Sequence, residues 1–386
     1  MKYIRSILFI LIVARGVAFS QYPAYINEKE VTINGLTFDA MEPFISPDKN
    51  YLIFNNLNDG VTTKLYYATR VNDSTFNFVG EVVGTNQTTT PYLDAVPDMD
   101  SSSVFYWTSS RDYPNQLDNL HRGVFSGGTV SGIQRVHGDF NMGIPGWLVM
   151  DHGISYNGQL LYYNNARFDG ICTGPCETHI GIAQKVNDST FTKIANSDSI
   201  LGTINDTNYI YYATYISTDN LELYYTRYLK GTITPSTSFE ICVAVRNSPT
   251  DTFSVPAVLF SEFIADIVEA PCLTVDKQLM YYHKKVAGIH KIMMRERAAP
   301  LSVDEQKGHV ALTLYPNPGN GKFRIDLNTN KSPVTITILN ATGKLISTRK
   351  FPAANSIDFE LEGSAGIYFV QVQTSEAWKT LKLIKE

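Results

Sequence analysis

Ile45-Ser-Pro-Asp-Lys-Asn-Tyr-Leu-Ile-Phe54 combines an apolar start, a short polar turn and an apolar run that ends in an aromatic residue. The same pattern recurs in residues 97–106, 154–163, 216–225 and 273–282. Each copy carries an acidic or amide residue in its turn, and these residues are spaced 52, 57, 62 and 57 positions apart: Asp48, Asp100, Asn157, Asp219 and Asp276. Such side chains bond the backbone of a tight turn, so the flanking apolar runs are predicted to pair as a hairpin.

A six-residue sequence that occurs twice in the chain indicates a second hairpin in each repeat. Val71-Asn-Asp-Ser-Thr-Phe76 recurs as Val186-Asn-Asp-Ser-Thr-Phe191, each time between two strand-like runs, and residues 246–255 resemble the same element in the fourth repeat. Two hairpins give about four strands per repeat, which is the composition of a β-propeller blade.

The fifth repeat is one strand short, because its pattern stops at Arg297. Residues 30–36 alternate as a strand ahead of the first repeat and are predicted to supply the missing outer strand. Closing the ring with strands from both ends of the chain removes exposed sheet edges. We therefore predict an all-β protein whose main domain is a five-bladed propeller, with a sixth, degenerate blade as the alternative.

The first repeat carries a family resemblance. Ser46-Pro-Asp-Lys-Asn-Tyr-Leu-Ile-Phe54, preceded by Glu42-Pro43, is similar to the WD40-like, TolB-like propeller repeat. The resemblance covers residues 28–298 and loosens in later repeats, where Ser46-Pro47 becomes Asp98-Met99. It implies a propeller fold, and a fold by itself implies no activity.

The amino terminus has the features of a secretory signal peptide over residues 1–20. A basic start with Lys2 and Arg5 precedes a short apolar run, and small residues precede a predicted cut before Gln21. The whole chain carries 32 Lys and Arg against 37 Asp and Glu, a net charge of −5. This acidic balance disfavours a nucleic-acid partner. The propeller is assigned to residues 21–298.

Beyond a polar linker at residues 299–311, short alternating strands with Gly and Pro turns predict a small immunoglobulin-like β-sandwich at residues 312–386. This block resembles the type A C-terminal sorting domain of the type IX (Por) secretion system of Bacteroidetes. The resemblance implies contact with that secretion machinery and delivery to the outside or to the outer-membrane surface. The residues that carry it are Tyr315, Pro316, Asn317, Pro318, Gly321, Phe323, Gly343, Gly366, Ile367, Tyr368, Lys379 and Lys385.

Export permits disulfides, and the chain has four cysteines. Cys172 and Cys176 flank a Thr-Gly-Pro turn and are predicted to form a local disulfide. A zinc site there would need two more soft ligands, and only His179 is close in sequence. Cys242 and Cys272 lie in apolar strand patterns and are expected to be buried free thiols.

Candidate chemistry lies where the innermost strands of the blades approach the propeller axis. Counting six residues back from each turn residue gives Glu42, Asp94, Asp151, Ala213 and Ala270, with His152 and Glu269 beside two of these positions. A ring of carboxylates could hold a cation such as Ca²⁺, or could separate acid and base roles as glycoside hydrolysis requires. The alternative is structural, with each carboxylate bonding the backbone at the start of a strand.

The composition and motifs favour a binding role over an enzymatic one. No nucleophile elbow, Walker loop or zinc-protease motif is present, and no cofactor is implied beyond a possible Ca²⁺. We expect a secreted or surface module that binds an extracellular protein or glycan. A polysaccharide hydrolase that uses Glu42, Asp94 and Asp151 is the first alternative, and a structural envelope protein is the second.

Overall fold

A computed structural model describes residues 22–298, 312–327, 332–341, 345–374 and 378–386. The chain divides into two compact units, Met1–Ala298 and Ala299–Glu386. The predicted signal peptide (residues 1–20), the predicted linker (residues 299–311) and Gly343 lie outside the described residues, so the interpretations placed on them stay predictions.

Short strands are the main secondary structure of the first unit. Among its described residues, Ser197–Ile200 form an α-helix and Ile264–Asp266 form a 3-10 helix. The strands are β1 (Tyr25–Glu30), β2 (Thr32–Asn34), β3 (Met41–Ile45), β4 (Tyr51–Asn55), β5 (Thr62–Thr63), β6 (Leu65–Asn72), β7 (Thr75–Glu81), β8 (Tyr92–Met99), β9 (Val104–Ser109), β10 (Leu120–Ser126), β11 (Thr129–Arg135), β12 (Trp147–Ile154), β13 (Leu160–Arg167), β14 (Glu177–Asn187), β15 (Thr190–Lys193), β16 (Tyr209–Ile216), β17 (Glu222–Leu229), β18 (Ser238–Val245), β19 (Ala257–Phe263), β20 (Val268–Leu273), β21 (Leu279–Val286) and β22 (Ile289–Arg297).

These strands form five sheets, each with four antiparallel strands, and two of the sheets carry a fifth, short strand in parallel. Blade 1 contains β3, β4, β6 and β7; blade 2 contains β8 to β11; blade 3 contains β12 to β15; blade 4 contains β16 to β19; and blade 5 contains β20, β21, β22 and β1. Two short strands pair in parallel at the margins, β2 with β7 and β5 with β8. The predicted five-bladed propeller is therefore confirmed, and the described residues form no sixth blade.

In blades 1, 3, 4 and 5 the innermost hairpin is built around the predicted turn residue. In blade 1 the Ser46 hydroxyl donates to Asp48 Oδ1 at 2.5 Å, and Asn50 N–H donates to the same oxygen at 3.0 Å. Equivalent bonds occur at Asn157, Asp219 and Asp276. The side-chain bonds replace backbone partners that a tight turn cannot supply.

Blade 2 differs in register from the sequence-based alignment. Asp100 N–H donates to Val104 O, as Ser46 N–H donates to Tyr51 O in blade 1. Asp100 therefore stands at the position of Ser46, and its carboxylate accepts from the N–H groups of Ser102 and Val104. The alignment of the second repeat is wrong by two residues, because a carboxylate there performs the task that a hydroxyl performs in blade 1.

The ring is closed by β1, which pairs antiparallel with β22 and completes blade 5. Closure by the amino terminus was predicted, but the predicted residues 30–36 were only partly right. The closing strand ends at Glu30, Val31 N–H bonds Ile292 O at 2.8 Å, and β2 then joins blade 1. The alternation of polar and apolar residues could not show where the chain leaves blade 5 for blade 1, because the chain stays extended across that point.

The second unit has two sheets that share one apolar core. One sheet has the order β23–β24–β27 and the other β26–β25–β28–β29. The buried cluster draws Phe323 and Phe359 from the first sheet and Ile338 and Val370 from the second. The strands are β23 (Thr313–Tyr315), β24 (Lys322–Asp326), β25 (Val334–Asn340), β26 (Leu345–Phe351), β27 (Ser356–Glu360), β28 (Gly366–Gln373) and β29 (Trp378–Lys385). The predicted β-sandwich is present.

The residues that carry the sorting-domain resemblance have structural tasks in this sandwich. Asn317 Nδ2 donates to Lys382 O at 2.7 Å and its Oδ1 accepts from Ile384 N–H at 2.8 Å, which ties the opening motif to β29. Gly321 has φ of 112°, a conformation that disfavours other residues. Lys385 Nζ donates to the carbonyls of Leu361 and Gly363, each at 2.7 Å.

Ring closure can be tested with two substitutions on the same strand. Tyr25 is 6% exposed, and its hydroxyl lies 3.2 Å from that of Tyr224 in blade 4, whereas Ile26 is 47% exposed. Tyr25→Ala should cost about 3 kcal/mol of unfolding free energy, because it opens a cavity between β1 and blade 4. Ile26→Ala should cost less than about 0.5 kcal/mol. Equal unfolding free energies for the two variants in urea would contradict closure by β1.

Candidate functional site

The inner strand of every blade, which lies next to the propeller axis, contains a β-bulge. Pairing with the second strand shifts register between Met41 and Phe44 in blade 1 and at the matching place in blades 2, 4 and 5. In blade 3 the shift lies slightly earlier, between Val149 and Asp151. Bulges re-aim side chains and are frequent next to functional sites. In four blades the residue at the bulge has a left-handed backbone: Glu42 (φ 50°), Val96 (φ 56°), Ala213 (φ 52°) and Ala270 (φ 57°).

An open funnel of about 590 Å³ lies above these bulges. In every blade the residue that precedes Glu42 or its equivalent lines the funnel, and Glu42, Val96 and Asp151 line it as well. Five loops and connections form the upper wall. The lining residues at the bulges are Met41, Glu42, Ala95, Val96, Met150, Asp151, Tyr212 and Glu269.

Three of the predicted site residues meet in this funnel, namely Glu42, Asp151 and Glu269. Asp94 does not line the funnel. The sequence alignment of the second repeat is shifted by two residues, and Val96 occupies the position equivalent to Glu42. Asp94 is fully buried, accepting from Gln87 N–H at 2.8 Å and from the Trp107 indole at 3.3 Å. Its contacts fit the structural alternative.

His152 lies below the funnel, in a narrow cavity of about 30 Å³ that Glu42 and Asp151 also border. It is 2% exposed, and neither ring nitrogen has a hydrogen-bond partner among the described residues. Burial lowers the pKa of His152 to about 3, so the ring is neutral. His152 therefore brings no positive charge to the carboxylates.

Glu269 is held as an anion by two donors. The Tyr212 hydroxyl donates to its Oε1, and His283 Nε2 lies 2.8 Å from its Oε2. Glu42 N–H donates to His283 Nδ1 at 3.1 Å, so the Nε2 side of the ring faces Glu269. Burial raises the pKa of Glu269, but the neighbouring His283 side chain and then the Tyr212 bond outweigh burial and leave the pKa below its usual range.

Glu42 and Asp151 have the opposite electrostatic setting. Each has one buried carboxylate oxygen, Glu42 Oε2 and Asp151 Oδ2, without a hydrogen-bond partner among the described residues. Burial raises the pKa of both groups. The negative charges of Asp151 and Glu269 raise the pKa of Glu42 further, and the charge of Glu269 raises that of Asp151. Asn58 Nδ2 donates to the other Glu42 oxygen at 3.2 Å. The funnel thus combines one stable carboxylate with two groups that hold protons near neutral pH.

Sequence reasoning missed Tyr212, His283 and Asn58 as members of this site. Tyr212 occupies the position one residue before the bulge, which a count of seven residues back from Asp219 would have found. His283 is opposite Glu269 across the hairpin of blade 5. Its role depends on the pairing register around a bulge, for which the sequence carries no local signal.

A disulfide loop forms part of the funnel rim. Cys172 and Cys176 are bonded, and the three residues between them line the funnel. Asp169 lies close to both sulfurs, but the cysteines are joined to each other and are not thiolate ligands for zinc. Cys242 and Cys272 are free and buried, as expected from their strand patterns.

Comparison with known proteins identifies the second unit. Residues 313–386 match the family described as "Secretion system C-terminal sorting domain". The sorting-domain prediction is confirmed. This tail indicates export by type IX secretion, through interaction with that machinery, to the cell surface or the extracellular space. Among the described residues, no helix is long and apolar enough to cross a membrane.

Similar crystal structures include three carbohydrate-active proteins. A thermostable family-43 glycoside hydrolase is 12% identical, with 70% of this chain and 96% of that chain covered and a TM-score of 0.42. An α-L-arabinofuranosidase from Lactobacillus brevis is 12% identical (69% and 92% covered, TM-score 0.40). An exo-β-1,3-galactanase from Phanerochaete chrysosporium is 11% identical (93% and 99% covered, TM-score 0.39). No curated protein matches the chain. Structural similarity at these identities and TM-scores says nothing about the activity or the ligand of this chain. The WD40-like, TolB-like resemblance of the repeats stays a prediction.

Export can be tested by removing residues 312–386. The shortened protein should be retained in the periplasm, because the sorting domain is the part recognised for passage across the outer membrane. Cell fractionation in a host with a type IX system measures this, with the melting temperature of the retained protein as a control for folding. Equal amounts of full-length and shortened protein in the medium would contradict the assignment.

The protonation of the funnel carboxyls predicts a pH effect on stability. Glu42 and Asp151 bind their protons more tightly in the folded chain than in the unfolded one. Their contribution is therefore favourable at low pH and is lost as pH rises through the folded-state pKa. Glu42→Gln should raise the Tm by several degrees at about pH 8 and change it little at about pH 5.

Glu269→Gln is the matched contrast, because the pKa of Glu269 is lowered and its anion accepts two hydrogen bonds. Its contribution is present above the usual glutamate pKa and is lost as pH falls. This variant should therefore lower the Tm at about pH 8. Thermal melts across this pH range that show the same sign for both variants would refute the assigned protonation states.

Proposed function

We propose that the propeller funnel binds a glycan at the cell surface or in the extracellular space. The observation that carries this proposal is the presence of two buried carboxyl oxygens, Glu42 Oε2 and Asp151 Oδ2, without partners beside an open funnel. A buried oxygen without a partner costs free energy that a ligand donor recovers on binding. Sugar hydroxyls are donors of the right kind, because they also accept bonds from a protonated carboxyl.

The charge balance supports a neutral ligand rich in hydroxyls over a cation. Glu42 and Asp151 have raised pKa values, which leaves Glu269 as the stable anion of the three. Divalent calcium prefers several ionised carboxylates and carbonyl oxygens. A protonated carboxyl, an anionic carboxylate and the Asn58 amide together offer the mixed donors and acceptors that a sugar ring uses.

Hydrolysis of a glycosidic bond is the second candidate, favoured by the separation of the pKa values. Burial and neighbouring charge raise the pKa of Glu42, while hydrogen bonds lower that of Glu269. Two carboxyl groups with separated pKa values are what acid and base roles require. In this reaction Glu42 would protonate the leaving oxygen, and Glu269 would activate water or attack the sugar.

The test uses the mature full chain on a panel of oligosaccharides and cell-envelope glycans, with titration calorimetry on every hit. Asp151→Asn and Glu42→Gln should each weaken binding at least about 10-fold, because each removes a group that bonds the ligand. Glu262→Gln is the control, since Glu262 belongs to the outer strand β19. Wild-type affinity in both funnel variants would overturn the proposal.

Product analysis of the same mixtures separates binding from hydrolysis. A hydrolase should release sugar, and both Glu42→Gln and Glu269→Gln should abolish release while the folded state persists. A glycan that binds and stays intact supports the binding role alone. If no glycan on the panel binds, the proposed function fails and the structural envelope role becomes the better account.

A further inference from the structure

The wall of the funnel has hydrogen-bonding side chains in one part and an apolar cluster in another. Blades 1 and 2 contribute the polar side chains of Asn58, Asp59, Ser109 and Ser110, together with apolar residues nearer the axis: Met41, Leu93, Ala95 and Val96. Glu42 lies on the same side. A ligand in the funnel therefore meets hydrogen-bonding groups on one flank.

The opposite flank comes from blade 4 and its connection to blade 5. Its residues form one apolar cluster, in which Tyr228, Phe239 and Ile267 are buried while Ile233 and Ile264 are partly exposed toward the funnel. The rings of Tyr228 and Phe239 lie 4.8 Å apart. The pKa of Tyr228 is raised to about 12, mainly by burial and also by the charge of Glu269, so its hydroxyl stays neutral.

The disulfide loop bounds this apolar flank from above. Gly174 has φ of 79°, and a methyl group at its Cα would lie 3.5 Å from the Tyr228 hydroxyl. Pro175 and Phe168 add further apolar surface to the same part of the wall. The bond between Cys172 and Cys176 limits the conformations of the loop, which keeps this boundary close to blade 4.

We propose that the apolar flank is a subsite for an apolar substituent, such as an acyl or aryl group, carried by the bound sugar. This inference rests on the proposed glycan function and names the ligand class more closely. Carboxyl and amide groups hold the hydroxylated ring on one side, and the blade 4 cluster removes the substituent from water on the other. An unsubstituted sugar would leave the apolar cluster of blade 4 exposed to water, and the affinity would lack the contribution of that buried apolar surface.

The experiment compares matched pairs of glycosides that differ only in the aglycone. The probes are the methyl and the 4-methylumbelliferyl glycosides of each sugar that binds in the glycan panel, measured by calorimetry on the full chain. The aryl member should bind at least about 10-fold more tightly, because its ring buries apolar surface. Equal affinity within every pair would overturn the subsite while leaving the proposed glycan function intact.

Two variants locate the subsite without removing a buried core residue. Ile233→Ser and Ile264→Ser should each reduce the preference for the aryl member, while the affinity for the methyl member stays at the wild-type value. Ile289→Ser is the control, since Ile289 is 49% exposed on β22 and does not line the funnel. An undiminished preference in both funnel variants would overturn the inference, and failure of both members of every pair to bind would refute the proposed function with it.

Discussion

The propeller depends on the pairing of β1 with β22, because only a closed ring brings the inner strands of all five blades around one axis. The seam between blades 5 and 1 also carries part of the candidate site. Glu42 of blade 1 donates its backbone N–H to His283 of blade 5, and His283 in turn bonds Glu269. Closure of the fold and the ionised state of Glu269 are thus joined through one imidazole ring.

The funnel concentrates features that cost stability. Left-handed backbone at Glu42 and Val96, unpartnered carboxyl oxygens and mutual repulsion among acidic groups are all unfavourable in a folded chain. They occur together at the open end of the axis, whereas Asp94 and Asp98, also buried, have hydrogen-bond donors for their carboxylates. This contrast between carboxyl groups with and without hydrogen-bond partners supports the funnel as the proposed ligand site.

The sequence was sufficient wherever the determining interaction is local. Each hairpin turn rests on a side chain that bonds its own backbone within a few residues, so five hairpins, and hence five blades, were predictable. The pairing register in blade 2 was not predictable. There Asp100 makes the backbone bonds that Ser46 makes in blade 1, so it occupies a different turn position from Asp48. The partnership of His283 with Glu269 was also hidden, since it depends on which residues face each other after a bulge.

The central claim is that Glu42 and Asp151 hold protons beside the funnel while Glu269 is an anion. Carbon-13 NMR of the labelled side-chain carboxyls, recorded from acid to alkaline pH with and without a binding glycan, tests this directly. We expect raised pKa values of about 8 for Glu42 and about 7 for Asp151, and a pKa below the usual glutamate range for Glu269. We also expect that the glycan shifts the Glu42 and Asp151 signals. Three carboxyls that all titrate near about pH 4 and ignore every glycan would contradict the central claim.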